Sequence, residues 1–465
     1  MRHNKTRNKL SILAILIVVA SSCMVGPNFQ KVKVESPEKF RFQEEITNDS
    51  LNIQWKTFFA DQTLIALIDS ALVNNYDARI AVSRISQARA ALGMSKANMY
   101  PGITMGANGL YGNTIGGFPT GASSTTALTS NVSINWELDF WGKFRRANEA
   151  AQADLLATEY GLRAIQISLI AEVANSYYSL LDFRKRLDIA NYTLETRSTS
   201  LGIIRERFEK GIAPEIDVNQ AEIQEAVAAA HIPVYKRSIA FIENALSLLL
   251  GKHPQAIITN SNLENLKVPD SLPVGLPSNL LIRRPDILQA EQLLIAQNAS
   301  IGIAQALRFP SLSLTGLLGI ASADLSAFNM DDALIGSVGA GLFGPVFQFG
   351  KNKRRVELER ERTEEMRLNY ERAVIAAFRE TENALVAIQT IKQELTFVQA
   401  QLKASMNAAK LSRQRYDGGV TSYLEVLEAE RNLFNIELYD CELQQQQLTA
   451  YANLFKTLGG GWEAQ

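Results

Sequence analysis

The chain has 465 residues, 46% apolar and 20% charged, a balance that suits a folded protein and excludes a disordered or collagen-like one. Its 47 Lys and Arg nearly cancel 48 Asp and Glu, which leaves no electrostatic footprint for nucleic acid. Two distant cysteines and three scattered histidines (His3, His231, His253) exclude a disulfide framework and a Cys-based zinc site, and argue against a His-dependent catalytic centre.

The N-terminus carries Arg2, Lys5, Arg7 and Lys9 without an acid, and Leu10–Ala20 follows as an eleven-residue apolar run. That run is too short to span a membrane but suits the core of a secretory signal. Ser21-Ser22 then precede Cys23. One reading is ordinary signal cleavage near Ser22, with Cys23 an incidental thiol. The other is a bacterial lipoprotein signal over residues 1–22, with Cys23 acylated as the first mature residue, although Ala20 stands where a larger aliphatic is usual. The second is adopted here, with the covalent lipid on Cys23 as the sole attached group and no other cofactor. Met24 follows, with no Asp there to suggest inner-membrane retention. Cleavage would leave 43 basic against 48 acidic residues, a net charge of −5.

Helical sequence leads to Pro101, after which the pattern alternates. Val132, Ile134, Trp136, Leu138 and Phe140 interleave with Ser133, Asn135, Glu137 and Asp139, the period-2 signature of a strand with two unlike faces. A long proline-free helical stretch follows, then a glycine turn and another helix. The same order then returns. Phe140-Trp141-Gly142-Lys143 matches Gln348-Phe349-Gly350-Lys351 at an offset of 208, which also carries Phe208 onto Tyr416, Gly211 onto Gly419 and Leu250-Gly251 onto Leu458-Gly459. Upstream the offset is 209: Asp77 pairs with Asp286, Gly93 with Gly302 and Pro101 with Pro310. The chain therefore reads as two copies of one unit: 23–252, with a hairpin at about 102–140, and 278–465, with a hairpin at about 311–348. A Pro-rich connector, 253–277, joins them. Strands of about ten residues with one apolar and one polar face suit a transmembrane β-barrel. A soluble sandwich has the same alternation. Four strands cannot close a barrel alone, so membrane entry requires several chains.

Gly350 to about Tyr416 reads as one helix near 100 Å long at about 1.5 Å per residue. Its seam steps by three and four through Val374, Ala377, Thr381, Ala384, Ile388, Ile391, Leu395, Val398, Leu402, Ser405, Ala409, Ser412 and Tyr416, and the first copy repeats it from Leu169 to Phe208. This is coiled-coil packing over about six heptads. No run of 18 apolar residues occurs, so any membrane crossing is by strands.

Three stretches resemble the TolC-type outer-membrane factors, in their lipoprotein branch serving resistance-nodulation-division (RND) efflux: Cys23-Met24-Val25-Gly26-Pro27-Asn28-Phe29, Trp55–Phe59 with Asp61, Leu64, Leu67 and Ile68, and Leu276-Pro277-Ser278-Asn279-Leu280-Leu281-Ile282-Arg283-Arg284-Pro285-Asp286. The resemblance implies a mainly α fold with a β-hairpin pair. In a homotrimer it would give a 12-stranded outer-membrane barrel continued by a periplasmic α-helical barrel. It also implies a passive duct, not an enzyme, docked to a periplasmic adaptor and an inner-membrane RND-type transporter. The exported cargo would be drugs, toxic compounds or metal ions. A type I protein-secretion duct and a periplasmic coiled-coil scaffold are the alternatives.

A duct needs a gate, and the helix tips are the candidates. Glu425 and Glu428 lie three apart on one helix face, where three copies would form acidic rings. The plainer reading makes them solvated helix acids; the family's aperture acids fall at these two positions. The first copy has Asp217 and Gln220 there. The resemblance gives Tyr416 a latching role, while Thr421 replaces a residue that is basic in some members and removes that salt-bridge latch. Gly211, Gly419 and Val420 mark the tips, where the family meets its adaptor. The basic runs 143–146 and 351–355 read as a solvated collar or a contact with lipid head groups. Trp136, Phe140, Trp141, Phe347 and Phe349 suit an aromatic girdle or the packing of a strand–helix junction. Cys441 reads as a buried small residue.

Overall fold

The computed structural model describes residues 24–42, 55–112, 114–115, 118–119, 125–266, 268, 277–322 and 334–461. The expected signal, Cys23 and most of the inter-strand loops lie outside the described residues. In chain order the elements are α1 (Trp55–Phe58), α2 (Gln62–Asn74), α3 (Tyr76–Ala97), β1 (Gly102–Gly112), β2 (Thr114–Ile115), β3 (Phe118–Pro119), β4 (Thr125–Leu138), α4 (Lys143–Glu209) and α5 (Glu215–Leu249). A 3-10 turn at Leu263–Asn265 follows, then α6 (Pro277–Arg283), α7 (Pro285–Ala306), β5 (Ser311–Ser322), β6 (Leu334–Phe343), α8 (Lys351–Asp417) and α9 (Tyr423–Thr457).

The duplication is visible in the helices themselves. α3 and α7 are both 22 residues long. α4 and α8 are both 67 residues, and α5 and α9 both 35. Among the described residues no helix is long and apolar enough to cross a membrane.

Two compact units divide the chain. The first comprises the described part of Met1–Lys33 with Arg84–Glu159 and Gln289–Glu371. Its centre is an antiparallel four-stranded sheet in the order β1-β4-β5-β6. The register sets Ile103 beside Ile134, and Ile134 beside Gly316, which faces Val338. One sheet face thus collects Ile103, Met105, Val132, Ile134, Leu314, Leu318 and Val338, while Thr104, Asn108, Asn131, Ser133, Ser313 and Thr315 take the other. β1 and β6 are the sheet's two edges. The second hairpin is shorter than expected: pairing stops at Phe343 because Gly344-Pro345 follows, and proline has no N–H to donate to a ladder.

Where the strands meet the helices, Trp141 stacks on Phe309 (4.4 Å between centroids) and donates its indole N–H to the Pro310 carbonyl (2.8 Å). The junction reading thus holds for Trp141. The solvated collar does not hold for Arg146, which is 1% exposed. Its guanidinium donates to the carbonyls of Val25 (3.3 Å) and Gly26 (3.1 Å) and to the Asn28 side chain (2.8 Å), and pairs with Glu149 at 2.7 Å. A charge is tolerated there because carbonyl oxygens and a carboxylate accept four hydrogen bonds from its fork. The chain's first described residues are strapped down by these bonds. Gly302 makes room for them, since a Cβ there would lie 2.8 Å from the Arg146 side chain. In the same run, Lys143 pairs with Glu137 and Arg145 with Asp139.

The second unit comprises Val34–Ser83, Tyr160–Leu288 and Arg372–Gln465. Asp61 caps α2 by accepting from the Leu64 N–H (2.9 Å) and also accepts from the Tyr177 hydroxyl (3.0 Å). That cap aims Leu64, Ile68 and Ala71 into a core with Leu169, Val173, Tyr177 and Leu180 of α4, Leu246 of α5 and Leu250, which caps the C-terminus of α5. Each fully buried large aliphatic contributes about 1.5–3 kcal/mol. The seam of α8 is buried as read, at Val374, Ala377, Thr381, Ile388, Leu395 and Val398. Leu395 and Val398 pack on Ile436 and Leu443 of α9. The 276–286 stretch earns its distinctiveness structurally: buried Arg284 pairs with Asp286 (2.6 Å) and Glu380 (2.8 Å) and donates to the Thr457 carbonyl.

Replacing Arg146 with Ala removes three bonds to the strap at about 1.5 kcal/mol or more for each hydrogen bond to a charged group. The expected result is release of Met24–Asn28, read as faster proteolytic trimming of the N-terminus while the helical core stays protected. Unchanged trimming contradicts the clamp.

Candidate functional site

Each long helix ends in the same way. The Gly211 N–H bonds the Phe208 carbonyl and the Ile212 N–H bonds that of Arg207, while Gly419 bonds Tyr416 and Val420 bonds Arg415. These are Schellman caps, which require a left-handed residue after the helix. Gly211 (φ +73°) and Gly419 (φ +71°) supply it, and only the backbone demands glycine there, since a Cβ at either would meet nothing within 4 Å.

The caps turn each hairpin and bring the two tips together within the second unit. Tyr423, 2% exposed, lies in a cluster with Leu201, Ile204, Ala221, Val426 and Leu427, against Tyr416. The Tyr416 and Tyr423 rings are 5.3 Å apart. From the first hairpin Arg207 reaches across, its guanidinium 4.9 Å from the Tyr416 ring and 3.4 Å from Asp417. Deeper in, Arg413 donates to the Ser200 hydroxyl and pairs with Glu430 at 3.6 Å. Arg197 lies on the seam, donating to the Gln224 carbonyl (2.7 Å) with its guanidinium over Phe434. Burial pushes the Glu430 carboxyl up, opposed by Arg413 and Arg197. Burial also raises the Asp217 carboxyl, and the Tyr423 hydroxyl is pushed up to about 12 by burial and the nearby Glu430.

Glu425 is half-buried and held twice: the Thr421 hydroxyl donates to it at 2.5 Å and Arg415 pairs with it at 3.2 Å. Position 421 supplies no cation, as read, yet a salt bridge forms because Arg415 supplies one from the other arm of the hairpin. Glu428 is exposed and pairs with Arg431 at 2.6 Å. Asp217 lies in the first turn of α5, as Glu425 does in α9, where the positive helix end favours acids. Sequence reading missed Arg415, Arg413 and Arg207. A signal was present, because Arg207 and Arg415 are equivalent in the duplication, as are the pairs Arg205–Glu222 (2.6 Å) and Arg413–Glu430.

Elsewhere in this unit Cys441 is buried, and burial pushes its thiol up to about 12, which leaves it unreactive. A cavity of about 410 Å³ beside α2 is lined by Phe58, Asp61, Tyr178, Asn260 and Leu448. Among the described residues no group of His, Cys, Asp and Glu suits a metal ion.

The family model described as Outer membrane efflux protein matches residues 67–252 and 276–460. This chain belongs to that family. It is 32% identical over 452 residues to the cation efflux system protein CusC of Escherichia coli O6:H1, covering 95% of this chain and 96% of that one. It is 32% identical over 475 residues to the toluene efflux pump outer membrane protein TtgC of Pseudomonas putida, covering 99% and 97%. The crystal structure of the open state of the Neisseria gonorrhoeae MtrE outer membrane channel superposes with a TM-score of 0.86 at 29% identity, covering 94% of this chain and 98% of that one. Like its family, the chain is an outer-membrane efflux channel with a mainly helical, duplicated fold. Membership of the efflux family accounts for both an amphipathic sheet suited to lipid and long seamed helices suited to water.

Two outcomes test the tip. Gly419→Ala forces an L side chain into left-handed backbone, costing about 1–2 kcal/mol, read as a lower unfolding temperature. A carboxyl raised in the folded state binds its proton more tightly there, so the Glu430 contribution to stability falls as pH climbs from the ordinary Glu value of about 4.3 through the raised one, and is level above it. Glu430→Gln is expected to flatten that slope in thermal unfolding at several pH values; an unchanged slope assigns it to other groups.

Proposed function

We propose that three copies close their sheets into one outer-membrane barrel and join their helices into a hollow periplasmic tube, a passive duct gated at the helix tips. The observation that carries this reading is the four-stranded sheet with an apolar face and two open edges. Lipid offers no hydrogen bonds, so such edges need strands from other copies. The duct performs no catalysis. It takes cargo from a periplasmic adaptor and an energised inner-membrane RND-type transporter, and that upstream machinery selects the substrate. CusC and TtgC are named for cations and toluene, so small toxic compounds or metal ions fit a channel of this kind. The lipoprotein reading gives the chain an acyl anchor on Cys23, following residues 1–22 as signal. The two repeats are assigned to 23–252 and 278–465.

In the gate, Tyr416 packs on Tyr423, Arg207 braces Asp417, and Arg415 with Thr421 holds Glu425. Opening would part these contacts and present rings of Glu425 and Glu428, with Asp217 beside them, to passing cations. Gly211, Gly419 and Val420 form the tip offered to the adaptor.

Deleting the gene should increase cellular retention of dyes, antibiotics or metal ions; no sensitivity to any of them overturns efflux as the role. In planar bilayers, Glu425→Gln with Glu428→Gln should reduce cation preference, and Arg415→Ala should raise the open fraction. Currents identical to wild type would remove these residues from the gate. Cys23→Ser should abolish fatty-acid labelling, and persistent labelling contradicts the anchor.

A further inference from the structure

We infer that the cavity beside α2 binds a small organic cation, a protonated amine whose charge is set against Asp61 and whose apolar body is held among aromatic rings. The cavity lies within the second unit, between the start of α2, Tyr178 of α4, the connector near Asn260 and Asn265, and α9. Its volume of about 410 Å³ falls in the range of about 300–1,000 Å³ common to small-molecule sites. Asp61 is 9% exposed. Three other buried charges each meet an opposite one: Arg146 has Glu149 at 2.7 Å, Asp182 has Arg186 at 2.8 Å and Arg284 has Asp286 at 2.6 Å. Asp61 pairs with no Lys, Arg or His among the described residues. It accepts two hydrogen bonds, from the Leu64 N–H and the Tyr177 hydroxyl, whereas an ionised carboxylate offers about four acceptor positions. A buried carboxylate without a counter-charge is costly, and the helix end behind it offsets only part of that cost.

The walls decide what kind of cation fits. Phe58, Phe59, Tyr178 and Tyr451 bring aromatic rings to the cavity, and ring faces attract ammonium groups most strongly where water is excluded. Asp61 is the one charged side chain among the described lining residues. Burial, and then the Asp61 charge, raise the hydroxyls of Tyr177 and Tyr178, so both stay protonated and uncharged. An anion is repelled by the same carboxylate, and a bare metal ion would find one carboxylate with no His or Cys beside it. A protonated amine with an apolar body satisfies both the charge and the rings. It would bridge α2, the connector and α9, and stabilise the folded chain by mass action. Tyr178 stands about 45 Å along α4 from the end of that helix at Glu209, so the cavity is separate from the acids of the tips.

Equilibrium dialysis of the purified full-length channel in detergent tests the site, with naphthylmethylamine, protonated at neutral pH, as the probe and naphthylmethanol as its uncharged counterpart. The wild type is expected to take up the amine in preference to the alcohol, and the amine should raise its unfolding temperature. Equal uptake of the two, or none of either, overturns the site. Asp61→Asn keeps a residue that caps helices well while removing the charge. It should weaken uptake of the amine about tenfold or more, the worth of one hydrogen bond to a charged group. Tyr451→Leu, which removes one ring, should weaken it several-fold. Glu425→Gln with Glu428→Gln should leave it unchanged; loss of uptake there, with Asp61→Asn unaffected, assigns the binding to the tips and overturns the cavity. A second readout keeps Asp61 in place and does not depend on the folding of its variants. Cys441 is buried, so Asn260→Cys adds an accessible thiol at the cavity wall. Its alkylation by iodoacetamide should be slowed by the amine and not by the alcohol. Equal protection by both, or by neither, overturns recognition of the charge.

Discussion

Hydrogen bonding at the edges of a sheet in lipid is the constraint on which the rest depends. Every interior N–H and C=O of the β4 and β5 strands has a neighbour on both sides, but β1 and β6 each turn one row outward. In water that row is solvated; in hydrocarbon it costs several kcal/mol per group and only closure removes it. A chain with four membrane strands is thus bound to its copies in a way that a chain with eight or more need not be. The apolar face of the sheet and its two edges make the same demand, because one needs lipid and the other cannot be left in it.

The helices answer a different solvent. Their seams bury Val374, Ala377 and Thr381 in one copy and Leu169, Val173 and Leu180 in the other, while the remaining surface stays polar. At their far ends the problem becomes one of termination. Glycine in the left-handed region closes both long helices with the same pair of backbone bonds, and the turn that follows places acids at the positive ends of the returning helices. The bonds that join the two hairpin tips are few and solvated at the surface, with a buried layer of Leu201, Ile204, Tyr423 and Val426 beneath.

Much of this was legible in the residues. Period-2 alternation located β4, period-3.5 spacing located the seams, and paired glycines located the tips. The offsets 208 and 209 predicted equal helices, and the equality is complete for all three pairs. What escaped was pairing between distant charges. Arg146 reads as one cation in a basic run, and nothing local reveals that its guanidinium is enclosed by Val25, Gly26 and Asn28, more than a hundred positions away. Arg415 escaped similarly, since its bond to Glu425 depends on the turn between them closing. Second-hairpin pairing ended earlier than read because Gly344-Pro345 interrupts the ladder after the alternation has already ended.

The sequence by itself determined periodicity, duplication and the places where helices stop, because each depends on residues within a few turns of one another. Tertiary structure alone decided which charges are neutralised and which aromatic rings are covered. Trp141 and Phe349 are equivalent in sequence, yet one stacks on Phe309 and the other stands exposed. The physical reason is that β4 has β5 beside it within the chain while, among the described residues, β6 has no strand on that side, so equivalent positions meet two different surroundings.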